Sequence, residues 1–233
     1  MPPSSDIPTA RPAPETEANP RVDATALVQH VAHELRQPMS TIESIAYYLS
    51  IVLPREDPRF IAQLQRLQEQ IQQINGILDD TIYYLGAAPR YPRPIDLNDL
   101  VRRCVDRVPE AAPVRMRLAE RLPPVNLDRE QARHFFQSVI SVFRRLSAGV
   151  EPVTVSTSAT GAVVQFEMHA VRAALGHSEP QDLWEPWAPA LPPSEGLSMA
   201  SAKRIAEAHG AVMDLEPDGA GGLRLTVTFP AAA

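Results

Sequence analysis

The chain has 233 residues, 44% of them hydrophobic, with 22 basic and 28 acidic side chains and a net charge of −6. That apolar share suffices for a core in one or two domains, and the acidic balance argues against nucleic acid as a main partner, because phosphate backbones call for a basic face. Cys104 is the single cysteine, which excludes an internal disulfide, and no metal-ligand spacing surrounds it.

Residues 1 to 21 hold Pro2, Pro3, Pro8, Pro12, Pro14 and Pro20 among small and charged residues. Such a segment is expected to be a flexible tail and is too short for a sensor domain. No charged-then-apolar signal segment opens the sequence, and apolar runs stay far below the roughly eighteen residues that span a bilayer. The expected compartment is the cytoplasm, with no membrane partner and no separate input domain within these residues.

Residues 24 to 87 read as two helices. Val28, Leu35, Ile42 and Leu49 recur every seven residues, as do Val31, Pro38, Ile45 and Val52. A heptad with two apolar positions marks a seam that buries against another helix. The second helix repeats the pattern in Phe60, Leu67, Ile74 and Thr81 and in Leu64, Ile71, Leu78 and Leu85. Between them, Leu53 to Pro58 has two prolines and suits a tight reversal, so an antiparallel hairpin is expected. Leu27, Ile61, Ile77 and Ile82 add apolar surface beside the seam. Pairing two hairpins into a four-helix bundle would cover it, which makes a homodimer the expected assembly.

On the first helix stands His33-Glu34-Leu35-Arg36-Gln37-Pro38-Met39. At about 100° per residue, His33 lies about 170° from the middle of the seam, on the outward face. Gln37 is one turn on and shares that surface. Pro38 cannot donate to the carbonyl of Glu34, so a bend is expected just below the histidine. This segment resembles the H-box of bacterial sensor histidine kinases. The resemblance implies that His33 is the phosphoacceptor, that Glu34 assists proton transfer at its ring, and that Gln37 orients water for dephosphorylating a partner. His30, one turn earlier, has no such context and reads as a surface residue.

From about Ile95 the pattern becomes mixed. Leu97 to Val108 is amphipathic, Val114 to Leu118 reads as a strand, and Asp128 precedes a helix to about Leu146. Val153 to Thr157 and Val163 to Met168 alternate like paired strands around a Thr160-Gly161 turn. Ala200 to His209 is helical and ends at Gly210, and Val212 to Leu215 and Leu223 to Phe229 close the pattern around a glycine-rich turn. The expected fold is α+β: an antiparallel helical hairpin forming a dimeric four-helix bundle (residues 22–88), then a two-layer α/β sandwich (residues 95–233).

The second region is similar to the ATP-binding domain of histidine kinases. Ile95 to Leu100 resembles its opening, Leu122 to Asp128 the approach to its nucleotide helix, Leu183-Trp184-Glu185-Pro186-Trp187 its aromatic lid, and Lys203 to Gly210 its last helix. The nucleotide-contacting residues depart from the family. Ser138 and Val142 stand where asparagines bind phosphate and Mg²⁺, and valine offers no oxygen. Ala170, Arg172 and Ala174 replace an adenine-reading aspartate and two glycines. Gly196 remains of the phosphate loop, but Ser194 and Ser198 stand at glycine positions.

The resemblance therefore implies a degenerate ATP-binding domain behind an intact phosphoacceptor hairpin, the build of vestigial-kinase histidine phosphotransferases. A protein of that kind passes phosphate between aspartates of response-regulator receiver domains, with a hybrid histidine kinase as a further candidate partner, and needs no cofactor of its own. Two other readings stay open at this point: an active sensor-less histidine kinase with an atypical ATP site, and a non-catalytic adaptor that docks response regulators or kinases.

Overall fold

The computed structural model describes residues 24–52, 58–86, 88–108, 112–147, 151–219 and 221–232. The proline-rich segment 1–21 and the reversal at 53–57 lie outside them. Helix α1 (Ala24–Val52) and helix α2 (Pro58–Leu85) form the hairpin, and α1 continues through Pro38 without a break in its helical assignment.

The row of α1 that closes on α2 is not the expected one. Among the described residues, Ala32, Met39 and Ala46, again seven residues apart, are the buried positions of α1, and Ile71 is the buried apolar position of α2. Val31, Leu35, Ile42 and Ile45 are 43–53% exposed, and Phe60, Leu67 and Ile74 on α2 are exposed as well. Small alanines let the two helices approach closely, and the larger residues beside them are left on an open face. Arg36 and Asp79 pair at 2.6 Å across the hairpin.

Beyond the hairpin, strand β1 (Pro92–Ile95) pairs antiparallel with β3 (Val125–Asp128), Ile95 opposite Val125. Strands β2 (Val114–Arg117), β4 (Val153–Thr160), β5 (Val163–Ala170), β6 (Val212–Pro217) and β7 (Leu223–Pro230) form a sheet in the order β2-β4-β5-β7-β6, parallel between β2 and β4 and antiparallel elsewhere. Helices α3 (Leu97–Arg107), α4 (Arg129–Leu146) and α5 (Pro193–Ala208) accompany it. Val153, Val155, Val164, Phe166, Met168, Leu225, Val227 and Phe229 alternate into one core with Phe135, Phe136 and Phe143 of α4. The intervening Thr154, Ser156, Gln165, Glu167, Thr226 and Thr228 are half-buried and polar, as a sheet with one covered face requires.

The helix starts follow local chemistry. Asp96 accepts from the Asp99 N–H at the head of α3, and Asp128 accepts from the N–H groups of Glu130 and Gln131 at the head of α4. The other Asp128 oxygen takes the N–H groups of Arg90 and Tyr91, tying the exit of the hairpin to α4. His209 accepts the Asp128 N–H at Nε2 and donates from Nδ1 to the Ile205 carbonyl, so its tautomer is set by its neighbours. Gly161 and Gly210 adopt φ of +60° and +71°, the left-handed conformation that their turn and helix-end positions require.

Helix α5 begins seven residues earlier than the expected Ala200. Pro193 serves as its first-turn proline, and the stretch Glu195 to Ala200, which resembles the family's phosphate loop, is helical. Gly196 is needed there: a Cβ at this position would lie 2.7 Å from the Pro186 carbonyl oxygen.

Candidate functional site

His33 and Glu34 are exposed on α1, and Gln37 is exposed one turn later. The Gln37 amide nitrogen lies 3.4 Å from His33 Nε2, close enough to donate to an imidazole that carries its proton on Nδ1. In that tautomer the single Nε2 lone pair accepts the Gln37 amide, and Gln37, exposed on the same turn, must release it before Nε2 can act as a nucleophile. Arg36, on the next face, turns toward α2 and lines a cavity of about 310 Å³ with Asp79, Tyr83, Tyr91, Asp128 and Gln131. Gln131 donates its amide to the Ala88 carbonyl, while its Oε1 is buried with no partner.

A second polar cluster joins the hairpin to the α/β region. Asp80 of α2 is 5% exposed. Its Oδ1 accepts from His134 Nε2 of α4 at 2.7 Å and from the Ser201 hydroxyl of α5 at 2.7 Å. The Tyr83 ring lies 4.9 Å from the His134 ring. Burial, followed by the carboxylates of Asp79, Asp128 and Glu130, raises the Tyr83 phenol above its usual range against the opposing pull of Arg133. A carboxylate taken out of water demands such partners, so α2 and the α/β region are held by directed bonds as well as by apolar contact. Nothing local in the sequence marks these residues.

Two of the positions that resemble the nucleotide determinants, Ser138 and Ser198, face one another across α4 and α5. Ser198 donates to Ser138 at 2.8 Å, Val142 is 1% exposed and Ala170 is fully buried, and Arg145 pairs with Glu195 nearby. The Ser198 proton is engaged by Ser138, whose own O–H stays free to donate, and the buried Val142 offers no oxygen to a cation. Leu183 and Trp184 of the lid-like segment lie in a 3-10 turn (Pro180–Trp184), and Trp187 is 82% exposed. Among the described residues no cluster of acidic, histidine or cysteine side chains could hold a metal ion, and no helix is long and apolar enough to cross a membrane.

The fold has counterparts among known proteins. No family model matches the chain. The sensor histidine kinase ZraS of Escherichia coli, from strain K12 and from O157:H7, is 20% identical to it over 213 residues, 88% of this chain and 45% of ZraS. The chain thus spans about half the length of the curated relatives it matches. Full-length ShkA, solved in complex with AMPPNP, superposes with a TM-score of 0.70 at 17% identity, over 90% of this chain and 47% of ShkA. The histidine kinase AdeS of Acinetobacter baumannii gives a TM-score of 0.58 at 18% identity, over 86% of this chain and 98% of that one. The fold is that of histidine kinases, and the sequence is histidine-kinase-like across most of the chain.

Proposed function

We propose that this chain is a phosphorelay protein phosphorylated on His33, exchanging phosphate with aspartates of receiver domains without ATP hydrolysis of its own. In this reading residues 22–88 are the dimerisation and phosphoacceptor hairpin, and residues 95–233 are a degenerate ATPase-like domain. The observation that carries it is the exposed His33 with the Gln37 amide beside Nε2, combined with an α4–α5 interface where serines bond to each other.

The chemistry follows from the imidazole. The Nε2 lone pair attacks the phosphorus of an aspartyl phosphate, the P–O bond breaks with its electrons passing to the carboxylate, and a phosphoramidate forms. The ring proton made acidic by this attack passes to Glu34 or to water. Reversal onto a second receiver aspartate completes the relay. Histidine suits the task because it is nucleophilic near neutral pH. The likeness to two-component sensor kinases supports receiver domains as the partners, and the open apolar face of the hairpin supports a homodimer.

The test is incubation with receiver domains carrying labelled aspartyl phosphate. Label is expected on this chain, acid-labile and base-stable as a phosphoramidate should be. His33→Ala should abolish it and His30→Ala should not. Label that persists in His33→Ala overturns the reading.

A further inference from the structure

Helix α3, helix α4 and strand β1 enclose a cleft of about 640 Å³. None of the positions that resemble nucleotide determinants lines it. Its walls carry Arg103 and Arg107 from α3, Arg129 and Arg133 from α4, and Arg93 from β1. Each helix supplies its pair four residues apart, so two arginine ladders look into one space.

Like charges at that spacing repel one another, and little inside the cleft offsets them. Glu130 is the one carboxylate among the described residues that line it, and both of its contacts there go to Arg133. Arg103 pairs with Asp99 outside the cleft. Among the described residues, no carboxylate forms an ion pair with Arg93, Arg107 or Arg129. Five of the 22 basic residues of a chain with net charge −6 thus converge on one concavity, so their meeting is not a by-product of a basic composition.

The lining also narrows what would bind. Guanidinium forks match phosphate oxygens in pairs, and the volume falls in the range of small-ligand sites. Leu100 and Cys104 complete the lining. Burial pushes the Cys104 thiol up to about 11 against the opposing fields of Arg133 and Arg107, so it stays protonated and serves as an apolar wall. Among the described residues no aromatic ring lines the cleft, which leaves phosphate charge rather than base stacking as the means of recognition.

We propose that this cleft binds a small, multiply charged phosphate compound, independently of the chemistry at His33. Arg107 and Arg129, one from each helix, are its principal contacts.

Calorimetry with tripolyphosphate at near-physiological salt tests this. Saturable one-site binding is expected, with a dissociation constant below about 1 mM. Arg107→Ala/Arg129→Ala should weaken it at least tenfold, roughly the effect of losing two charge-assisted contacts. Both side chains are exposed, so the variant should keep its fold by circular dichroism. Arg115→Ala/Arg117→Ala on β2 should bind as the parent does. Absence of saturable binding, or equal binding by the Arg107/Arg129 variant, overturns the proposal. So does a polyglutamate peptide that binds through these arginines where tripolyphosphate does not, since the cleft would then belong to an acidic protein surface.

Discussion

Asp80 Oδ1 and His134 Nε2 lie 2.7 Å apart although 54 residues separate them, and the bond joins the second hairpin helix to the first long helix of the sandwich. Ser201 completes it from a third helix. Asp80→Ala would leave the half-buried His134 Nε2 without its acceptor, while the Ser201 hydroxyl turns to the Ser198 carbonyl at 2.9 Å, a loss of about 1–3 kcal/mol. Urea unfolding should show that loss, with amide exchange accelerated in α2 and α5, and Asp80→Asn should recover part of it. A change below about 0.5 kcal/mol, the scale of an ordinary surface substitution, would mean that apolar packing alone holds the two parts together.

Asp128 gives a pH-dependent test. Burial pushes its pKa up, but backbone hydrogen bonds from Tyr91, Gln131, Arg90 and Glu130 outweigh that and hold the carboxyl below the usual aspartate range. A carboxyl with a lowered folded-state pKa contributes stability above its unfolded pKa and loses it as pH falls through the folded value. Stability should therefore drop below about pH 4. Asp128→Ala should cost about 1–2 kcal/mol at pH 7 as a lost helix cap and flatten the acid limb. Parallel acid limbs for the parent and Asp128→Ala would assign that limb to other carboxylates.

The sandwich was legible where local chemistry decides it. The helix after Asp128 and the alternation of Val163 to Met168 read correctly, whereas the hairpin turn lies one residue later than expected, at Gly161-Ala162, with Thr160 still paired to Val163. Strand β1 escaped because Pro92 and Pro94 occupy half of its four positions, and it survives in a two-stranded pair where one edge needs no donors. The start of α5 escaped because Pro192, Pro193 and Gly196 read as a loop, whereas Pro193 opens the helix and Gly196 fits under Pro186. Heptad spacing identified both hairpin helices but not which row faces which partner, since the Ala32–Met39–Ala46 row has the same period as its larger neighbours. The shared exposure of His33, Glu34 and Gln37 was readable from one helical turn. Asp80, His134 and Ser201 were not, because their relation exists only after folding.

The exposed row calls for a partner. Leu35, Ile42 and Ile45 on α1 with Leu67 and Ile74 on α2 form the apolar face left open by a single hairpin, and covering it favours association by about 25 cal/mol per Å² before association costs. Ile42→Glu/Ile45→Glu should give monomers by sedimentation with helicity retained. Ile71→Glu should instead destabilise the hairpin itself, because Ile71 is buried within it. A folded dimer in the Ile42/Ile45 variant would place the interface elsewhere.

Nucleotide binding separates a relay protein from a kinase. With the buried Val142 offering no oxygen where a cation ligand is expected and the Ser198 proton engaged by Ser138, calorimetry with Mg-ATP up to about 1 mM should show no specific heat. Ser198→Gly alone should not create binding, because the cation ligand would still be missing. A micromolar dissociation constant for the parent protein would favour an active kinase with an atypical site.

Gln37 offers the finest test of the chemistry at the hairpin. Its amide sits 3.4 Å from His33 Nε2 and on the same exposed turn, within reach of a phosphoryl group held there and of a water approaching it. Gln37→Ala removes that amide without touching the core. If the amide orients water against the receiver's aspartyl phosphate, receiver dephosphorylation should fall by about 10²-fold, the scale of a lost general-acid–base or positioning contact, while transfer to His33 continues. Gln37→Asn, one methylene shorter, should recover only part of the rate, because a displacement of about 1 Å at a positioning group is costly. An unchanged dephosphorylation rate would confine Gln37 to docking, and loss of transfer with dephosphorylation intact would instead assign the amide to holding the His33 tautomer.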